Sequence, residues 1–384
     1  MANVTSNALN DFAKGQLGVL KVALQTQDGA LIKYQLGKLK VASELNELCS
    51  LVEKGANAQV LAMIDELLAF KVSEKCEFDD ECFARLVKWA DDNKIAVGKF
   101  PREKERLAKL KELDLGGCDL KTLPDEFANL QSLEKLVLSS FDLTHNNEFQ
   151  EFPKALCGLK NLKELNLEHC DLESLPDEFA NLQSLERLKL SNNEFQEFPK
   201  ALCGLKNLKE LDLSSCDLKS LPDEFANLQN LERLDLGLSI FYTSFPNRFQ
   251  EFPKSINILA RLKNLKTLSL MSCGLNSLPN EFANLQSLES LDLSQNEFQE
   301  FPKALCELKN LKGLVLSWCG LKSLPDEFAN LQSLEKLNLA RNKFQEFPEI
   351  INKLKNLKEY YTNDIDDDDD DDMYDEYDDD WNKE

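Results

Sequence analysis

The residues best equipped for chemistry are eleven cysteines, two histidines and a run of aspartates near the C-terminal end of the sequence. Thiols could pair, bind zinc or attack an electrophile; imidazoles could move protons; clustered carboxylates could hold a divalent cation. Their spacing selects none of these. No CxxC pair occurs, so a zinc site has no support. Neither His145 nor His169 has a neighbour resembling a nucleophile with its base, and GxxxxGK[ST], GxGxxG and HExxH are absent. The aspartate run lacks the glycine and terminal glutamate of a calcium loop. The sequence therefore predicts no catalytic residue, no cofactor and no metal site, and the chain reads as a non-enzyme.

The cysteines make sense only on a longer pattern. Five of them (Cys118, Cys170, Cys216, Cys273 and Cys319) recur at one position of LxxLxLxx(C/N)x(L/F)xx(L/F)Pxx(F/L/I)xxLxx, a 23-residue unit. Cys157, Cys203 and Cys306 recur at another. Ten complete copies begin at Leu110, Leu133, Leu162, Leu185, Leu208, Leu231, Leu265, Leu288, Leu311 and Leu334. Such a unit cannot bury its own apolar face, so copies must stack to make a core. Thiols at repeat positions read as small buried groups with weak donors, which suits a reducing compartment.

The spacing L-x-x-L-x-L-x-x-N/C-x-L followed by L-P-x-x-F-x-x-L resembles the leucine-rich repeat family, and within it the 23-residue class of cytoplasmic scaffolds and many bacterial proteins. The resemblance implies an α/β right-handed solenoid, a horseshoe with a parallel sheet on its concave face and partners bound along that face. It implies no particular ligand.

Two repeat types alternate. Type A reads C-x-L-x-x-L-P-x-E-F-A-N-L-Q, as at Cys170 to Gln183, and type B reads N-x-F-Q-E-F-P-K-A-L-C, as at Asn193 to Cys203. Type A places Leu172, Leu175 and Phe179 where type B places Phe195, Phe198 and Leu202, so neighbouring coils should set large against small side chains. The proline fits the first position of a short convex-side helical turn.

Residues 1–98 carry no repeat. Apolar residues at three- and four-step spacing (Leu45, Leu48, Leu51, Val52; Val60, Leu61, Ile64, Leu67, Leu68) predict short amphipathic helices. A further helix from Asp79 to Asn93, apolar along Phe83, Leu86, Val87 and Ala90, should cap the open end of the array. Phe100-Pro101 and Leu107 read as a degenerate half-repeat. The expected organisation is a helical N-terminal region and cap at 1–98, the solenoid at 99–363 and a disordered acidic tail at 364–384. Asp364 to Asp380 holds thirteen acidic residues and no basic one, leaving −10 of the net −23 for everything else. No basic stripe suits nucleic acid, no signal peptide is read, and no apolar run is long enough to span a bilayer.

Strand alternation turns the residues between the leucines outward. The third position of each repeat runs Glu112, Lys135, Glu164, Arg187, Glu210, Arg233, then Thr267, Ser290, Gly313, Lys336. Its first six members alternate in sign, which predicts a self-neutralising ladder. Repeats seven to nine instead offer small residues, with Met271, Val315 and Trp318 expected to stand exposed. Beside them, an insertion in repeat six carries Leu238, Ile240, Phe241, Tyr242 and Phe245. Apolar side chains gathered in a loop call for a partner, so Leu238, Ile240, Phe241, Tyr242, Met271, Val315 and Trp318 form the predicted partner-binding set. The expected function is a cytoplasmic, monomeric scaffold for a protein partner. Two alternatives stay open: a bacterial effector acting on a host protein, and an acidic-tail chaperone of basic proteins such as histones.

Overall fold

The computed structural model describes residues 78–139, 146–149, 151–195, 197–238, 257–298 and 300–362. The expected helices before residue 78, the acidic tail, His145 and the loop residues Ile240, Phe241, Tyr242 and Phe245 lie outside the described residues.

Helix α1, Asp80–Asp92, begins where a capping residue permits: the Asp79 carboxylate accepts from the Cys82 amide at 2.7 Å. Its buried stripe is Cys82, Leu86 and Ala90. That is rotated from the expected face, leaving Phe83 and Val87 half-buried. The rotation serves Trp89, whose ring stands edge-on to Phe100 at 5.7 Å and to Phe127 at 5.8 Å. Phe127 belongs to the first coil, so α1 closes that end of the array. The half-repeat appears as helix α2, Lys104–Ala108, with Leu107 buried.

Among the described residues, eleven strands of three residues follow. They are β1 Glu112–Asp114, β2 Lys135–Val137, β3 Glu164–Asn166, β4 Arg187–Lys189, β5 Glu210–Asp212 and β6 Arg233–Asp235. Then come β7 Thr267–Ser269, β8 Ser290–Asp292, β9 Gly313–Val315, β10 Lys336–Asn338 and β11 Glu359–Tyr361. They form one sheet in chain order, every pair parallel, with leucine aligned on leucine, as in Leu211↔Leu234 and Leu291↔Leu314. The solenoid expected from the repeat is the observed fold. The central residue of each strand from β1 to β10 and the leucine two residues on are buried, forming one continuous apolar column.

Except between β6 and β7, the coils from β1 to β11 return along the convex side through a five-residue 3-10 turn, such as Asp125–Asn129 or Lys200–Gly204. The proline stands one place ahead of that turn rather than at its first position. Its extended backbone lets the Pro124 carbonyl accept from Phe127 at 3.0 Å, starting the turn while the missing proline N–H costs nothing.

Alternation of the coils has a polar cause as well as a steric one. In type B coils, the buried amide of Asn193 donates to the carbonyls of Leu167 at 2.8 Å and Leu190 at 2.7 Å, and its oxygen accepts from the Leu172 amide at 2.9 Å. Asn296 does the same for Leu270, Leu293 and Leu275, and Asn342 for Leu316, Leu339 and Leu321. In type A coils, Cys216 and Cys319 donate to the carbonyls of Leu190 and Leu293 at 3.2 and 3.1 Å. A thiol offers no strong acceptor, so a type A coil needs a type B coil after it. The large-against-small expectation takes a diagonal form: Phe152, Phe198 and Phe301 meet Phe179, Phe225 and Phe328 of the next coil edge-on at 5.3–5.5 Å.

Candidate functional site

The concave sheet turns three rows of side chains outward. The row of alternating sign is present: Glu164 takes Lys135 on one side at 3.3 Å and Arg187 on the other. One residue earlier runs a second ladder that the sequence reading passed over. Lys111, Glu134 and Lys163 are linked at 2.7 and 2.6 Å, and Glu186–Lys209, Glu232–Lys266, Glu289–Lys312 and Glu335–Lys358 at 2.6–2.7 Å. Two lysines hold the Glu134 carboxyl down at about 2. These exposed pairs add little stability, but they cancel charge along the rim.

The floor beside them carries three carboxyl groups. Asp212 and Asp235 are partners across β5 and β6, and Asp292 lies two strands further on. Asp212 accepts from the Ser214 amide at 2.9 Å and hydroxyl at 2.7 Å, and Asp235 from the Gly237 amide at 2.8 Å. Burial, then the charge of Glu168, pushes the Asp212 carboxyl up to about 6. Burial, then Asp212, raises Asp235 well above the usual carboxylate range. Counting charges along the third position alone hid this acidic strip, which sits two residues further along each strand.

The raised Asp235 has a measurable consequence. An unfolded aspartate titrates near 3.9, so the ionised side chain costs stability above the folded value and nothing below about pH 4, where both states are protonated. Asp235→Asn is expected to stabilise the chain at pH 7.5 and to leave it unchanged at pH 4, read by urea titration. Destabilisation at both pH values would mean that the carboxylate itself is required.

At the strand ends the backbone turns sharply. The eighth position of the repeat is left-handed in Gly117, His169, Asn192, Ser215, Ser272, Gln295, Trp318 and Arg341. Glycine, asparagine and other small or polar residues tolerate that region best; Trp318, at φ +57°, is the bulkiest side chain placed there. Its amide donates to Ala340 at 3.0 Å, which fixes the backbone, while its ring is 51% exposed. The Arg341 guanidinium of the next coil lies 5.7 Å from the ring centre. The tryptophan is thus braced from one side and open on the other.

The remaining predicted residues fall around it. Val315, on β9, faces outward but is half-buried, and Met271 is also half-buried, so both correct the expectation of full exposure. Gly237 lies beside Met271 in the preceding coil: a β-carbon at 237 would come within 3.0 Å of the Met271 amide and 3.1 Å of its Cβ. Leu238, half-buried, donates its amide to the Met271 carbonyl at 2.9 Å. Leu238, Met271, Val315 and Trp318 therefore share one end of β6 to β9.

The buried repeat thiols lie well away from the thiolate form. Burial pushes Cys157 and Cys319 up to about 12 and Cys203 and Cys306 up to about 11, so they persist as neutral donors. Burial also lowers His169. Among the described residues, no group of three or more His, Cys, Asp or Glu is placed to hold a metal ion, and no helix is long and apolar enough to cross a membrane.

A family model described as leucine-rich repeat region matches residues 141–252 and 247–376, and one described as leucine rich repeat matches residues 108–172. Among solved structures, a leucine-rich repeat protein of Leptospira interrogans is 37% identical, with a TM-score of 0.57 over 67% of this chain and 62% of that one. An internalin of Listeria monocytogenes, 20% identical, has a TM-score of 0.52 over 74% of this chain and 93% of its own, a likeness of fold. TMV resistance protein N of Nicotiana glutinosa is 31% identical over 130 residues, 28% of this chain and 11% of that protein. The chain spans only a small part of that curated relative and less than two-thirds of the Leptospira chain.

Proposed function

We propose, from the premise that the chain belongs to the leucine-rich repeat family, that it is a non-enzymatic scaffold holding a protein partner on the concave face and rim of repeats six to nine. The observation that carries this reading is Trp318: a large ring in a backbone conformation that disfavours it, half-exposed, beside a floor of small side chains. Bulky residues kept in sparsely populated backbone regions cluster where function holds them, and exposed tryptophan is the residue type most enriched at interface hot spots. Met271, Val315 and Leu238 supply an apolar shoulder beside the carboxyl groups of Asp212, Asp235 and Asp292. A cytoplasmic setting is part of the same reading, supported by nine free thiols among the described residues.

Amide hydrogen exchange on the full chain, with a partner captured from the source cell, tests the placement. Protection is expected at residues 269–272 and 315–318. Protection confined to the convex turns would overturn it. The same capture with residues 364–384 deleted should retain the partner; its loss would favour the tail as the binding element.

A further inference from the structure

The two ends of the array are finished differently. At the first coil, α1 covers the core with Leu86, Ala90 and Trp89. At the last, Phe347 and Tyr360 are 40% and 49% exposed, with ring centres 6.0 Å apart. Tyr360 occupies the position that holds an inward leucine in every earlier strand.

The backbone of this coil is also ready for a successor. Throughout the sheet, the carbonyl at the second repeat position receives two amides from the next coil, as Glu335 receives Lys358 at 2.8 Å and Glu359 at 3.1 Å. The amide at the sixth position donates to the next strand, as Leu339 does to Tyr361 at 2.7 Å. The matching groups of the last coil are the Lys358 carbonyl and the Thr362 amide, and neither meets a partner among the described residues. A strand edge with free donors and acceptors pairs with an added strand. Directly beyond it, the sequence carries thirteen acidic residues from Asp364 to Asp380.

We propose that β11 is a second docking site, where an extended segment of a partner protein adds as a parallel twelfth strand, its apolar side chains covering Phe347 and Tyr360 and basic residues beyond its C-terminal end meeting the aspartate run. Parallel pairing follows from the sheet, all of whose neighbours are parallel. It brings the C-terminal end of the added strand beside the start of the tail, which fixes where the basic residues belong. A second copy of this chain fits worse, because it would bring two such acidic runs together. The chain's own tail fits worse too, since a parallel return needs a crossover of about a dozen residues and aspartate is depleted in strands.

The test uses the full chain and a labelled synthetic peptide of residues 311–317 (LKGLVLS) followed by four lysines, with anisotropy as the readout. Saturable binding is expected. Thr362→Pro, which removes an amide donor that holds nothing in the chain itself, should weaken it at least tenfold. Deleting residues 364–384 should weaken the lysine peptide about tenfold at low salt while leaving a peptide ending in four serines unaffected. Absence of saturable binding, or binding that survives Thr362→Pro with the melting temperature unchanged, overturns the proposal. So does a dimer in sedimentation that Thr362→Pro abolishes, which would make the occupant a second copy. Trp318→Ala should have no effect on the peptide. If Trp318→Ala abolishes binding and Thr362→Pro does not, the peptide lies on the concave face and only the β11 site fails.

Discussion

Removing one repeat is expected to destabilise the array more than removing two. Deletion of Leu288–Asn310, one 23-residue type B coil, would bring the type A coil carrying Cys273 against the type A coil carrying Cys319. Asn296 would go, and with it the acceptor for the Leu275 amide and the donor to the Leu270 carbonyl. A cysteine in its place can donate but accepts poorly, and each buried group left unmet costs about 1–3 kcal/mol. Lys266 would also face Lys312 once Glu289 is gone. Deletion of Leu288–Ser333 instead sets Asn342 against Leu275 and restores the A-to-B junction. The single deletion should therefore melt roughly 10 °C below the double one, at about 2–4 °C per kcal/mol for a domain of this size. Equal melting temperatures would show that the coils stack without regard to type.

The second large effect concerns the rim. Trp318→Ala is expected to weaken partner binding by about 2 kcal/mol or more, roughly thirtyfold in Kd. Folding should change little. The ring is half-exposed, and its contact with Arg341 is of the cation–π kind, worth about 0.5–1 kcal/mol at an open site. Glu164→Ala is the matched control. Glu164 is already shared between Lys135 and Arg187, so binding should move by no more than about 0.5 kcal/mol. A tryptophan variant that loses several degrees of stability while binding normally would identify the ring as packing.

The fold was legible because each coil repeats the same local requirements. Leucine at the fourth and sixth positions, proline before the turn and Cys or Asn after the strand each answer a need met within one or two coils. The cap was legible from the Asp79 start and the helical spacing, though its face was misjudged. Helical periodicity ranks Val87 with Leu86, and only the rings of Phe100 and Phe127 decide in favour of Cys82 and Trp89. The site was less legible. The third position was read for charge, but the fifth, where Asp212, Asp235 and Asp292 stand, has no alternation to draw the eye. The half-burial of Met271 was not legible, since its neighbour across the strands, Gly237, stands 34 residues earlier in the chain.

The directional pairing of Asn and Cys coils also bears on how such an array can be inherited. Tandem copies recombine out of step, adding or losing whole units. A slip of one coil would place like against like and leave buried amides without acceptors, whereas a slip of two keeps every junction intact. Selection for folding alone would then pass changes of length in pairs. The chain carries a mark of that arithmetic: residues 151–165 and 197–211 are the same fifteen letters, EFPKALCGLKNLKEL, set 46 positions apart. On this arithmetic the unit that can be gained or lost without a broken junction is the doublet.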